Sequence, residues 1–219
     1  MDELESPQGG YYVEPPELLA RNLNVGARLF IAAQIFFYGG FLFAFFYLRE
    51  LNTGGMWHPD RVDAPVGWGA AISACVVASA LVSGAAIAAM RRRDDAAWRP
   101  GAAVALALGA AALALQCIEW ATLGFGAGDG GFASVFVAWT GFYMAFGLLG
   151  GLYWLETTLA TSIRHRGEAP GLVVAAAEAP AGARGTKALT APSAEAATIN
   201  LYFLAVVSVV MFILLYVVG

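Results

Sequence analysis

Two histidines, His58 and His165, two cysteines, Cys75 and Cys117, and the carboxylate of Glu119 at the edge of an apolar stretch are the side chains best suited here to bind a metal, carry electrons or move a proton. A heme held between helices needs axial ligands such as paired imidazoles, and a copper or non-heme iron centre needs His with further His, Cys or carboxylate ligands. Both histidines lie in hydrophilic stretches, His58 within Met56-Trp57-His58-Pro59 and His165 between Arg164 and Arg166, so neither centre can be assembled. Each cysteine sits inside an apolar run and reads as a small buried hydrophobe. No pair of aspartates in an apolar run, no HExxH and no Ser/His combination is present, which leaves no motif of an intramembrane enzyme.

Two polar groups remain. Gln34 stands six residues into the first apolar run, and Glu119 closes the third, followed directly by Trp120. Glu119 has two readings: an interfacial carboxylate beside a Trp of the aromatic belt, or a buried carboxylate that pairs across helices or binds a partner.

The elements that position these residues follow from composition. The 219 residues are 59% hydrophobic and 13% charged, with a mean hydropathy of +0.67. About twice that charge fraction is ordinary for a soluble domain. Intrinsic disorder, a basic nucleic-acid-binding surface and a secreted disulfide scaffold are excluded, and a polytopic membrane protein remains. Five windows contain no Asp, Glu, Lys or Arg: Leu29 to Leu48, Ala64 to Met90, Pro100 to Ile118, Gly130 to Leu155 and Ala196 to Gly219. Each is long enough to cross a hydrocarbon core of about 30 Å as a helix.

The expected fold is all-α, a bundle of five transmembrane helices over about 29–48, 66–90, 100–120, 132–156 and 196–218. A segment 1–26 precedes the membrane domain 27–219, and a flexible linker rich in Ala, Gly and Pro occupies 160–194. The first span is too long and too aromatic for a signal-peptide core and reads as a retained helix.

Basic residues give direction. Arg21, Arg28, Arg91, Arg92, Arg93, Arg99, Arg164, Arg166, Arg184 and Lys187 fall on the side of the N-terminus, against Arg49 and Arg61 on the other. That asymmetry puts the N-terminus and the linker in the cytoplasm and the C-terminus outside a plasma membrane. Abundant small residues, among them Gly39, Gly40, Gly147, Gly150 and Gly151, suit close helix packing. Hydroxyls in the Ala-rich spans are expected to bond the carbonyl of their own preceding turn. A stand-alone transporter would need paired charges or matching broken helices, and only Gln34, Ser73, Ser79, Ser83, Thr140 and Asn200 are available. A bundle with so little polar interior suggests a subunit that leans on partners.

Four stretches in register resemble subunit III of the heme-copper oxidases, the cytochrome c and quinol oxidase family. QCIEW, from Gln116 to Trp120, is similar to the family's QxxEW. FVAWTGFYMAFG, from Phe136 to Gly147 and including Gly141, resembles the pattern with TGFHxxH. EAATINLYFLAVVS, from Glu195 to Ser208, is similar to EAxxxYWHFVDVVW, and AAQIFFYGGFLFAFFYLR, from Ala32 to Arg49, to the first core helix with its SExxFF opening. The resemblance covers roughly residues 26 to 219. Its departures fall on polar positions: the family's first-helix Glu corresponds to Gln34, its two fourth-helix His to Tyr143 and Phe146, and its last-helix His, Asp and Trp to Tyr202, Ala205 and Ser208.

Glu195, Phe203 and Glu119 persist. The family's polar network is therefore expected to be mostly erased in favour of a packed core without orphaned charges, and any proton-related role of the family's carboxylates and histidines is not carried over. What the resemblance implies is a non-catalytic subunit of a terminal oxidase of the aerobic respiratory chain, and high Ala and Arg usage with sparse Lys suggests that its membrane is a bacterial plasma membrane. It would bind no heme, copper or other cofactor itself, with both expected in partner subunits, and would flank catalytic subunit I, with subunit II and phospholipids as further partners and no nucleic acid. The subunit-III-like protein found with nitric oxide reductases is the alternative within the superfamily. The residues singled out for interhelical polar contact or packing are Gln34, Gln116, Glu119, Trp120, Gly141, Tyr143, Gly147, Glu195 and Tyr202.

Overall fold

Hydrocarbon leaves no water for backbone N–H and C=O groups, so each long apolar window must satisfy them internally as a helix. The computed structural model describes residues 16–52, 54–59, 62–92, 97–164 and 190–219, and among these there is no strand. Helix α1 is Pro16–Glu50, α2 is Val66–Arg92 and α3 is Arg99–Thr122. The fourth span consists of α4 (Gly131–Phe142), a π-helical segment Tyr143–Leu148 and α5 (Leu149–Arg164). The fifth is α6 (Thr190–Phe212), continued by a second π segment, Ile213–Val218. All five are long and apolar enough to cross a membrane. The chain is a multi-pass membrane protein built as a five-helix bundle.

Element limits differ from the charge-free windows because a helix need not stop where the hydrocarbon does. With 35 residues, α1 is about 52 Å long at helical rise. Part of the segment 1–26 expected to precede the membrane domain is therefore the first turns of α1, while residues 1–15 lie outside the described residues. The expected linker 160–194 is helical at both ends, to Arg164 and from Thr190, and 165–189, with His165, Arg166, Arg184 and Lys187, lie outside the described residues. The extension of α5 follows from its seam: Leu152, Leu155, Thr158, Leu159 and Ser162 are buried at helical spacing, and Thr158 and Thr161 donate to carbonyls one turn back.

Helix α2 packs on α3 and α6, α5 on α3 and α6, and α1 on α6 and α4. The buried residues of α3 are Ala102, Ala105, Gly109, Ala112, Gln116 and Glu119, alternating steps of three and four that keep one narrow stripe against the neighbours. Because that stripe is small, backbones approach closely. A Cβ on Gly101 would stand 2.5 Å from Ala86 Cβ, and one on Gly109 2.4 Å from a Leu152 methyl. Gly39, Gly40 and Gly150, expected as packing residues, instead face open space. Helix α1 is the peripheral span, with 17% of its most apolar window buried against 56% in the fourth span, and Phe36 and Phe43 stand on its outer surface.

Polar residues bind the bundle together. The serines of α2 do not bond back along their own helix as expected but reach across. Ser79 Oγ donates to Ala105 O (2.7 Å), Ser83 shares a hydrogen bond with Thr198 (2.7 Å), and Ser208 Oγ donates to Ser73 Oγ (3.1 Å). Apolar contact cannot favour helix over lipid, so such bonds and small-residue packing supply the cohesion.

The segment after α1 is pinned by the start of α4, where Gly131 N and Phe132 N donate to the carbonyls of Met56 and Trp57. Gly130, at φ +146, takes a backbone conformation reserved to glycine and lies against Pro59. Trp57 is buried against Phe45 and Phe132, both edge-on. His58 remains in this loop, tilted on the Phe132 ring with Nε2 3.8 Å from the exposed Asp63 carboxylate. Cys75 is half-buried and Cys117 is exposed on the outer face of α3, so Cys117 is not the buried hydrophobe its apolar setting suggested.

Candidate functional site

Beside the serine bonds of α2, three polar ties among the described residues gather most of the residues singled out in the sequence. The first is built on α3. Gln116 and Glu119, three residues apart, share the helix face turned inward and are both buried, Glu119 completely. Gln116 Nε2 donates to Glu119 Oε2, and Tyr216 Oη, from the second π segment, donates to the same oxygen at 2.9 Å. The Tyr216 ring lies over Gly69 of α2, where a Cβ would stand 2.6 Å from it, and meets Phe136 edge-on at 5.3 Å. Glu119 is thus a buried carboxylate that joins α3 to the end of the fifth span. Trp120, at the rim, donates Nε1 to Thr140 Oγ1 (3.2 Å), and its ring passes Gly141 at ordinary contact distance.

The second tie joins α1, the fourth span and α6. Gln34 Nε2 donates to Asn200 Oδ1 at 2.9 Å across 166 residues of chain. Tyr38, one turn along α1, brings its hydroxyl against Gly147 of the first π segment. Tyr143, fully buried, donates its hydroxyl to Leu204 O (3.0 Å). The third tie closes the end of α2, where Arg91 Nη2 meets Glu195 Oε1 at 2.8 Å, a half-exposed pair. Tyr202 is not interior: it is 42% exposed, its hydroxyl occupying the notch left by Gly84.

The positions that depart from the family pattern therefore do not form a purely apolar core. Gln34 and Tyr143 keep interhelical hydrogen bonds as neutral groups, Ser208 bonds Ser73, Ala205 is buried, and only Phe146 and Tyr202 turn outward. The core also holds neutral polar atoms, Gln34 Oε1, Tyr38 Oη and Asn200 Nδ2, that are buried without partners. Amides and phenols explain why this is tolerable. Burying a neutral polar group costs far less than burying a charge, so a neutral network survives partial satisfaction that an ionic one would not.

Tyr38 and Tyr216 escaped sequence reasoning because a tyrosine in an apolar span has no signal separating it from the aromatic belt. Asn200 was visible as a rare amide in the most apolar span, but nothing indicated its partner. Among the described residues no group of three or more His, Cys, Asp or Glu side chains is placed to hold a metal ion. The arrangement's chemistry is hydrogen bonding between helices.

Fold and ties define a class: a multi-pass helical membrane protein whose polar side chains join its own spans. The sequence model of the cytochrome c oxidase subunit III family matches residues 8–168, and the chain belongs to that family. It is 30% identical to cytochrome c oxidase subunit 3 of Pylaiella littoralis over 152 residues, 66% of this chain and 55% of that protein. It is 24% identical to cytochrome c oxidase subunit 3 of Ornithorhynchus anatinus over 163 residues, 72% of this chain and 62% of that protein. The chain therefore matches somewhat more than half the length of each of these relatives.

Proposed function

We propose that this chain is a non-catalytic integral membrane subunit III of a heme-copper terminal oxidase, holding the catalytic subunit and its lipids in place while electrons pass to oxygen. The observation that carries the reading is the family match over residues 8–168, on a bundle whose buried Gln34, Tyr143 and Glu119 hydrogen-bond between its own helices. Heme and copper belong, in this reading, to partner subunits I and II, and this chain contributes no ligand to them. The peripheral α1, with its exposed aromatic face, offers surface for a neighbouring membrane subunit or lipid. The excess of basic residues on one side supports a cytoplasmic N-terminus, a cytoplasmic linker and an external C-terminus in a bacterial plasma membrane.

The test is purification in mild detergent through a tag on this chain, with a reduced-minus-oxidised optical spectrum and mass spectrometry of the chains that copurify. Heme bands with a large multi-span partner and oxygen consumption are expected. Nitric oxide consumption by the purified complex would move the chain to a reductase, and a colourless preparation of this chain alone would overturn the reading.

A further inference from the structure

At the junction of α1, the fourth span and α6, three buried side chains each carry a polar atom with no partner: Gln34 Oε1, Tyr38 Oη and Asn200 Nδ2. Their residues are 4%, 6% and 0% exposed. The Gln34 to Asn200 hydrogen bond holds the two amides together and leaves one acceptor and one donor over. Exchanging O and N in both amides keeps the bond and still leaves one of each, so the pattern does not depend on amide orientation.

Two of the leftover atoms lie beside Gly147 and the third beside Gly151, with Leu204 methyls against both glycines. A Cβ on Gly147 would stand 2.4 Å from Tyr38 Oη and 3.8 Å from Gln34 Oε1, and one on Gly151 2.7 Å from Asn200 Nδ2. Gly147 and Gly151 are one turn apart on the same helix face. Gly147 also lies in the π segment Tyr143–Leu148, where the regular backbone ladder is interrupted, a feature that recurs at functional sites.

We propose that this junction is an internal hydration site, at which an ordered water is held by Gln34, Tyr38 and Asn200 against the Gly147–Gly151 face. The donor set selects water. The site offers an amide acceptor, an amide donor and a hydroxyl able to do either, which matches the roughly three hydrogen bonds a buried water makes. It presents no charge to hold an ion, and its atoms are too enclosed for a lipid headgroup. The water completes the polar bridge that fixes α1, the least buried span, to the rest of the bundle.

Two measurements on the full chain in its native assembly test this. A cryo-electron microscopy map in lipid nanodiscs, at a resolution that shows waters, is expected to contain density within hydrogen-bond reach of both amides and the Tyr38 hydroxyl. Amides and phenol satisfied by each other or by other protein groups, or lipid or detergent density at the junction, would overturn the proposal. Infrared difference spectra between ordinary and heavy-oxygen water are expected to show an isotope-sensitive band of an isolated water. Asn200→Leu should abolish the band, and Tyr38→Phe, which removes only a hydroxyl, should shift it. No such band in the unmodified chain, or a band indifferent to Tyr38→Phe, refutes the site even where Asn200→Leu fails to assemble.

Discussion

Truncation of Glu119 to alanine strands two buried donors at once, Gln116 Nε2 and Tyr216 Oη, both of which converge on a single carboxylate oxygen. A buried donor deprived of its partner costs about 1–3 kcal/mol in a soluble core. Interhelical hydrogen bonds in membranes average nearer ~0.6 kcal/mol, because helices separated in the bilayer find other partners. Two donors with a full carboxylate-sized gap then give a destabilisation of about 2 kcal/mol, which is roughly a thirtyfold shift in the folding equilibrium. Glu119→Gln keeps the shape and one oxygen to accept from Gln116 and Tyr216, and its amide nitrogen takes the place of Glu119 Oε1, which is buried without a partner. It should cost less than about 1 kcal/mol, within the range of volume-conserving changes.

The assay is denaturation of the purified subunit in mixed micelles, following Trp fluorescence, with the two variants beside the unmodified chain. Equal stability of Glu119→Ala and the unmodified chain would refute the tie between α3 and the end of the fifth span. So would a Gln variant as unstable as the Ala one, since the loss would then follow charge and not hydrogen bonding. In an assembled oxidase Glu119→Ala should leave oxygen turnover largely intact, and turnover near zero in a correctly assembled complex would give this residue a role beyond packing.

Gly69→Ala should destabilise the bundle by about 1–3 kcal/mol, since its Cβ would enter the buried Tyr216 ring, whereas Gly141→Ala, with only ordinary contact to Trp120, should be neutral or stabilising by up to about 1 kcal/mol; the same denaturation experiment reads both. Arg91→Ala should cost no more than about 1 kcal/mol and lose its effect at high salt, because the Arg91 to Glu195 pair is partly solvated. A reporter fused after Gly219 should be active only outside the cytoplasm, and cytoplasmic activity would contradict the five-span topology. Deleting residues 173–191, nearly all of them outside the described residues, should leave copurification with partners unchanged; its loss would make the segment a docking element.

The sequence by itself determined the number of apolar spans and the family. Those properties are local or additive: charge-free length sets a span, and motifs such as QCIEW are read along one helix. Only the tertiary structure decided which polar groups meet. Gln34 finds Asn200, Glu119 finds Tyr216 97 residues away, and the serines of α2 leave their own helix for α3 and α6. The reason is that a membrane span is apolar all round. With lipid as apolar as leucine, no hydrophobic face marks the inside, so Cys117 facing out and Gln116 facing in look alike in the sequence. Inward faces are set instead by where small residues and hydrogen-bonding groups on different spans coincide, and that coincidence exists only once the helices are packed.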